Sequence, residues 1–393
     1  MRIAYLTYDK AACQKDHFGR DTATIKSLTD LGYDVIPLVF SQPGPTLRQR
    51  LRSKILGRLG YRVRTDCDRS SLIKLANDVT RQLEEQPFDI VFSQSTHFTA
   101  HLSTPIPIVN WVDAVFDCIV DLYPSHTNLD LLSKRSGHNA EKQSLLNSNM
   151  TILTSAWAAE RAVSFYGISE DKITTVPRAA YLPYLPNIEA LSVKFSPKSN
   201  NRLNCLLIGN DWHRKGCDIA VEAIRKLRSL SHDVRLSTIG MSVPEDYLKE
   251  SWISVVPPLR KAVFEEWFLM KRLFLESDVC LLPTRADFTP NVIYEAYAFG
   301  LPVVASPIGA IPEMVEHGAT GFVTSKVDDH EEYVHLLHRL ASEPETLAKF
   351  STQARNKFEA EYSLPVIANK LVSILERVRY SHERIGKNRS LIT

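Results

Sequence analysis

The sequence predicts an α/β protein of two domains, each a parallel sheet covered by helices. Three observations predict it. Short apolar runs alternate with helical stretches along the whole chain, the pattern of strands joined by crossover helices. The series is interrupted by a proline-rich stretch at residues 182–202 and then begins again. The 393 residues are enough for two ordinary domains, each with a full core.

In the first series, strands are expected at 3–7, 35–40, 90–93, 106–111, 151–154 and 173–176. Helical patterns lie between them, clearest at 22–31, 70–85, 139–147 and 156–166. The interruption holds Pro183, Pro186, Pro197 and the polar run Ser199-Asn200-Asn201-Arg202, which read as an interdomain linker. In the second series, strands are expected at 203–208, 234–239, 253–256, 279–282 and 302–305, with helices at 218–230 and 261–275. The pattern closes near Leu364-Pro365, and a last helix is expected at 366–380. The domains are therefore drawn at 1–184, 185–363 and a terminal helix at 364–393.

Composition bounds the function. A net charge of +2 gives no global attraction to nucleic acid. The six cysteines (13, 67, 118, 205, 217 and 280) contain no CxxC pair and no zinc spacing, so reduced thiols and no metal site are expected. The opening MRIAYLTY is a strand pattern, and no apolar stretch is long enough for a signal-peptide core or a spanning helix. A cytoplasmic location is the expectation.

The richest segment is Leu281 to Gly321. An apolar strand runs into a polar loop holding Asp287; Thr289 then offers a cap oxygen and Pro290 a pre-set first turn for a helix. Glu295 lies eight residues after Asp287, and the apolar run Pro302-Val303-Val304-Ala305 follows. Open parallel sheets bind ligands where strands end and helices begin. The free N–H groups and positive dipole end of a helix suit a phosphate; here the candidates are Thr289, Asn291 and Val292, with Pro290 setting the turn but removing one N–H from the site. Carboxylates beside such a site are poor phosphate ligands but good acceptors for sugar and ribose hydroxyls. The combination points to a nucleotide sugar.

These residues resemble the donor site of the retaining family-4 glycosyltransferases of GT-B fold, marked by Glu-x7-Glu, EAxAxGxPVVAS and GGxPE. Here the pattern stands as Asp287-x7-Glu295, then Ala296, Ala298, Gly300, Pro302 to Ser306, and Gly309-Ala310-Ile311-Pro312-Glu313. The resemblance implies two Rossmann-like domains facing a central cleft, acceptor on the first and nucleotide sugar on the second. It also implies a terminal helix crossing back to the first domain and transfer without a metal or other cofactor. Asp287 replaces the family's first Glu, which holds the donor sugar, and Glu295 matches the second, which holds the ribose hydroxyls. Gly209-Asn210-Asp211-Trp212-His213-Arg214-Lys215-Gly216 resembles GRLxxxKG, whose Arg and Lys grip the donor diphosphate. Lys215 and Gly216 match, Asn210 stands at the Arg position, and Arg214 is a candidate replacement.

In the first domain, Asp113 follows a strand end, where the family often carries a His or Asp facing the reacting sugar. It is a candidate either for the base that takes the acceptor proton or for a donor-sugar contact. His97 and His101 follow an earlier strand end and are secondary candidates. The family's Gly-Gly loop after the first strand is replaced by Lys15 to Arg20, KDHFGR, with only Gly19. Its usual Pro-x-Gly before the linker reads Pro177-Arg178-Ala179, and Arg178 is a candidate contact for substrate phosphate.

Residues 46–65 carry seven Lys or Arg and no acid, with Leu47, Leu51, Ile55, Leu59 and Val63 every fourth residue. A basic amphipathic helix is expected, with Gly57 and Gly60 against it. Its apolar stripe packs on its own domain, receives an acidic acceptor, or rests on anionic lipid, where each cation contributes about 1 kcal/mol.

The sequence thus reads as a retaining, metal-independent hexosyltransferase moving a sugar from a nucleotide sugar to a hydroxyl of a glycan, lipid-linked or small-molecule acceptor. The departures at Asn210, Asp287 and Pro177-Arg178-Ala179 leave a rival, a catalytically weak GT-B protein serving as a binding or scaffold subunit. A nicotinamide oxidoreductase lacks support, because no GxGxxG follows any strand.

Overall fold

A computed structural model describes residues 1–8, 19–42, 44–198 and 202–390, with side chains described up to residue 384. Cys13 and residues 15–18 of the KDHFGR segment lie outside the described residues. The chain forms two compact units. One comprises Met1–Pro177 with Ile367–Thr393, the other Arg178–Val366, so residues 178–184 go with the second unit.

The first unit is built on a parallel sheet of β1 (Arg2–Tyr8), β2 (Asp34–Phe40), β3 (Ile90–Ser93), β4 (Ile108–Val112), β5 (Met150–Leu153) and β6 (Ile173–Thr175). Its strand order is β2-β1-β3-β4-β5-β6. The chain therefore moves outward one way from β1 and the other way from β3, which places a topological switch point between those two strands. Strands β3, β4 and β5 are buried along their whole length, as continuous apolar runs covered on both faces should be. The strand expected at 106–111 begins only at Ile108, because Pro105 and Pro107 cannot donate to a ladder.

Five longer helices belong to this half of the chain: α1 (Arg20–Asp30), α2 (Leu47–Arg58), α3 (Arg69–Glu84), α4 (Leu131–Asn147) and α5 (Ala156–Ser164). Helix α4 starts eight residues before the expected 139. Asp130 caps it by accepting from the backbone N–H of Leu132 at 3.2 Å. Gly137, which weakens the sequence pattern there, lies against the ring of Phe116 so closely that a Cβ would stand 2.2 Å from it.

The second unit repeats the design with β7 (Arg202–Ile208), β8 (Asp233–Ile239), β9 (Ile253–Val256), β10 (Val279–Leu282), β11 (Val303–Ala305) and β12 (Gly321–Val323). The order β12-β11-β10-β7-β8-β9 puts its switch point between β7 and β10. Its longer helices are α6 (Cys217–Ser229), α7 (Phe264–Glu276), α8 (Asn291–Ala298), α9 (His330–Ser342) and α10 (Pro344–Lys357). Strand β12 and helices α9 and α10 were not among the expected elements. Two apolar clusters cover the two faces of the sheet: Leu206, Cys280, Leu282, Val303 and Ala305 point to one, and Cys205, Leu207, Leu281 and Val304 to the other. Helix α11 (Leu364–Ser390) runs ten residues past the expected 380. From Ile367 on it belongs to the first unit, where Glu376 accepts from the Tyr33 hydroxyl at 2.5 Å and Arg379 lies 3.6 Å from Asp89.

Candidate functional site

In the second unit, the candidate donor residues converge at the switch point. The loop after β7 carries Gly209 to Gly216, and the loop after the neighbouring β10 carries Pro283 to Pro290. Gly216 closes the first loop in the left-handed region (φ 66°), and a Cβ there would fall 1.8 Å from the carbonyl oxygen of Pro283. Only glycine permits that approach. Arg285 then fastens the loops together: it donates to the carbonyl of His213 at 2.5 Å and forks onto both carboxylate oxygens of Asp218 at 2.8 Å. The Arg285 N–H and the Thr284 hydroxyl both reach the carbonyl of Arg214, at 2.8 and 3.0 Å.

This packing brings three charged groups together. The Lys215 ammonium donates to Asp287 Oδ2, with both residues buried. The stem of Lys215 lies over Gly209, where a Cβ would stand 2.6 Å from its Cγ. Arg214 donates to Asn210 Oδ1 at 2.9 Å and to the carbonyl of Ala286 at 3.0 Å, and its Nη1 lies 3.8 Å from Asp287 Oδ2. The guanidinium of Arg214 is thereby held beside Asn210, the position at which the sequence lacks the expected arginine.

The helix after β10 differs from its expectation in one detail. Pro290 is the N-cap of α8 rather than its first residue, and it supplies no side-chain cap; Thr289 sits one position earlier. With ψ at 117°, Pro290 is extended. The first turn, Asn291 and Val292, thus opens without a side-chain cap from its N-cap residue. Gly309 lies close to this loop: in the left-handed region (φ 57°), it would place a Cβ 2.5 Å from the carbonyl oxygen of Asp287.

Glu295, one turn into α8, is buried, and its Oε1 accepts from the ammonium of Lys261. Lys261 is equally buried and reaches the carbonyl of Tyr181 at 3.4 Å. Burial pushes the Lys261 ammonium below the usual lysine range, while the Glu295 carboxylate opposes that shift. Sequence reading missed this lysine, although its place in the crossover after β9 was a signal. Arg178 is also buried, among the largest enclosed side chains of the chain.

In the first unit, Asp113 follows β4 with its side chain 42% exposed. Its carbonyl accepts from Thr154 at 2.7 Å, and Arg20 Nη1 lies 3.9 Å from its Oδ2. Gly19 is the left-handed N-cap of α1 (φ 61°). At the β1–β3 switch point, Asp21 accepts from the hydroxyls of Tyr5 and Thr7 at 3.0 and 2.7 Å. His97 sits between the Tyr8 hydroxyl, 3.4 Å from Nδ1, and the Cys67 thiol, 3.5 Å from Nε2. Burial lowers the pKa of His97 and of His101, so both favour the neutral ring.

Asp66, Cys67 and His97 bring three possible metal-ligand atoms within 4.8 Å of one another. Each already has a protein partner: Arg64 forks onto Asp66, and Tyr8 and Cys67 occupy the two ring nitrogens of His97. No described helix is long and apolar enough to cross a membrane.

Comparison with known proteins agrees with this fold. Residues 202–343 match the family model described as Glycosyl transferases group 1, and residues 22–180 match Glycosyltransferase Family 4. An amylovoran biosynthesis glycosyltransferase, AmsK of Erwinia amylovora, is 29% identical over 198 residues, covering 48% of each chain. A D-inositol 3-phosphate glycosyltransferase of Thermobifida fusca is 23% identical over 205 residues, covering 47% of this chain and 45% of that one. The alignments thus span about half the length of these curated relatives. Among solved structures, a sucrose-phosphate synthase from Thermosynechococcus elongatus superposes with a TM-score of 0.70 at 15% identity, over 97% of this chain and 100% of that one. The Anabaena protein HepE in complex with UDP gives 0.66 at 15% identity, over 96% and 100%. With family matches on both units and a likeness in fold over nearly its full length, the chain belongs to the group 1, family-4 glycosyltransferases of GT-B fold.

Proposed function

We propose that the protein transfers a sugar from a nucleotide-sugar donor to a hydroxyl acceptor, with retention at the anomeric carbon. One observation carries the reading: Lys215 and Arg214 gather around Asp287 at the β7–β10 switch point, three residues before the N-cap of α8 at Pro290. The diphosphate of the donor sits against the two cations and the first-turn N–H groups of Asn291 and Val292. As the sugar–oxygen bond breaks, negative charge grows on the departing phosphate, and these fixed groups stabilise it. In this scheme they supply the charge that a metal supplies elsewhere. Asp287 accepts hydroxyls of the donor sugar, and Glu295 those of the ribose. The likeness to HepE, whose structure holds UDP, supports a nucleoside diphosphate as the leaving group.

On the first unit, Asp113 is proposed as the group facing the reacting sugar or the acceptor proton. Its exposure leaves it accessible to substrate, and Arg20 lies 3.9 Å away. Gly19, His97 and Arg178 are retained as proposed secondary contacts.

Calorimetry and thermal shift with UDP, GDP, ADP and their sugars, on wild type and Lys215→Ala, test the donor site. Binding selective for one nucleoside diphosphate and lost in the variant is expected. No binding by any of them would overturn the reading in favour of a scaffold subunit.

A further inference from the structure

Helix α2 is turned the opposite way from an ordinary surface helix. It starts from a complete capping box, with Gln49 N–H donating to Thr46 Oγ1 at 3.4 Å and Thr46 N–H to Gln49 Oε1 at 2.6 Å. Polar side chains tie it to the first unit. Gln49 donates to Asp68 at 2.5 Å, and Arg52 reaches both oxygens of Asp130 at 2.8 and 2.6 Å and the Ser133 hydroxyl at 3.0 Å. The apolar stripe faces outward instead: Leu47, Leu51, Ile55 and Leu59 are 82, 60, 52 and 67% exposed. The expectation that the stripe packs on its own domain is therefore not met.

The Arg52–Asp130 pair extends this patch to a second element. Asp130 is the N-cap of α4, and the two residues after it, Leu131 and Leu132, are 87 and 52% exposed. On α2 itself, Arg48, Arg50, Lys54 and Arg58 are exposed among the leucines, and no acid occurs between residues 46 and 65.

We propose that this face docks on an anionic lipid bilayer. Exposed leucines enter the boundary between headgroups and acyl chains, while long cationic side chains reach back to the headgroup phosphates. Charge complementarity selects this occupant: a helix with four exposed cations and no acid is repelled by a second copy of itself and attracted by a negative surface. The proposal is independent of sugar transfer.

The test is co-sedimentation of the full chain with phosphatidylcholine vesicles, with and without phosphatidylglycerol. One variant is Leu51→Gln/Ile55→Gln, the other Arg48→Gln/Lys54→Gln/Arg58→Gln. All five side chains are exposed, and unchanged circular dichroism and melting establish that both variants fold. Wild type is expected to bind the anionic vesicles, and to bind less as salt rises. Removing three cations should lower the partition by on the order of a hundredfold, and the apolar variant should also bind more weakly. Wild type remaining in the supernatant with anionic vesicles, equal binding to neutral ones, or binding unchanged in both variants would overturn the proposal. A wild-type dimer in analytical ultracentrifugation, dispersed by Leu51→Gln/Ile55→Gln, would also overturn it by assigning the stripe to a second copy.

Discussion

The guanidinium of Arg214 donates to the side-chain oxygen of Asn210 at 2.9 Å, across a loop that returns on itself at Gly216. The family places an arginine where Asn210 stands. Here a guanidinium from four residues later in the same loop donates to the residue at that position, and the proposed role in gripping the diphosphate passes to Arg214.

Arg214→Ala is therefore expected to lower kcat for sugar transfer by about 10²–10³, the usual consequence of removing one charge-stabilising contact from a transition state. Adding Asn210→Arg to that variant should restore part of the loss. Steady-state kinetics with the donor identified by the binding screen checks both; an unchanged kcat in Arg214→Ala would remove this residue from the site.

Lys261 and Glu295 neutralise one another in a buried environment. Lys261→Met leaves the carboxylate without its cation and is expected to cost about 3–5 kcal/mol of stability. The double variant Lys261→Met/Glu295→Leu should recover most of this, because the uncompensated charge goes with its partner. Urea unfolding of the four proteins closes the cycle. Both single variants should also weaken nucleotide binding if Glu295 holds the ribose.

Gly216→Ala forces a side chain into the left-handed region and toward the Pro283 carbonyl. The backbone strain alone is about 1–2 kcal/mol, and relieving the contact must move the loop that carries Arg214 and Lys215. A lower Tm together with loss of nucleoside diphosphate binding by calorimetry is expected. Normal binding at normal stability would contradict the closeness of the two loops.

Glu141 on α4 is buried in the first unit, where its Oε2 accepts from the Thr96 hydroxyl at 3.1 Å. Burial raises its pKa from the ordinary 4.5 to about 7, with the Thr96 hydroxyl opposing the shift. Between those values the folded protein holds a proton that the unfolded chain has released. Its stability contribution is complete below about pH 4.5 and is lost as pH rises through about 7. Glu141→Gln should remove a slope of at most about 1.4 kcal/mol per pH unit from this window. Denaturant unfolding from pH 5 to 8 measures the difference between the two proteins, with the pH range set by those two values.

The sequence by itself determined most of the elements and their α/β alternation, since local apolar periodicity and turn residues specify each strand and helix separately. It also determined the two loops of the proposed donor site, because GNDWHRKG and the Asp287-x7-Glu295 run each lie in one short segment. Tertiary structure decided which side chains meet across distance. Strands β7 and β10 are neighbours although 70 residues separate their ends, and only that pairing brings Lys215 to Asp287. Likewise Lys261 reaches Glu295 only because the crossover after β9 returns beneath α8. The facing of α2 was open in the sequence for a related reason. A stripe repeating every four residues marks one side of a helix, but which side is buried depends on the partners available. Here Asp68, Asp130 and Ser133 hold the polar side inward and leave the leucines outside.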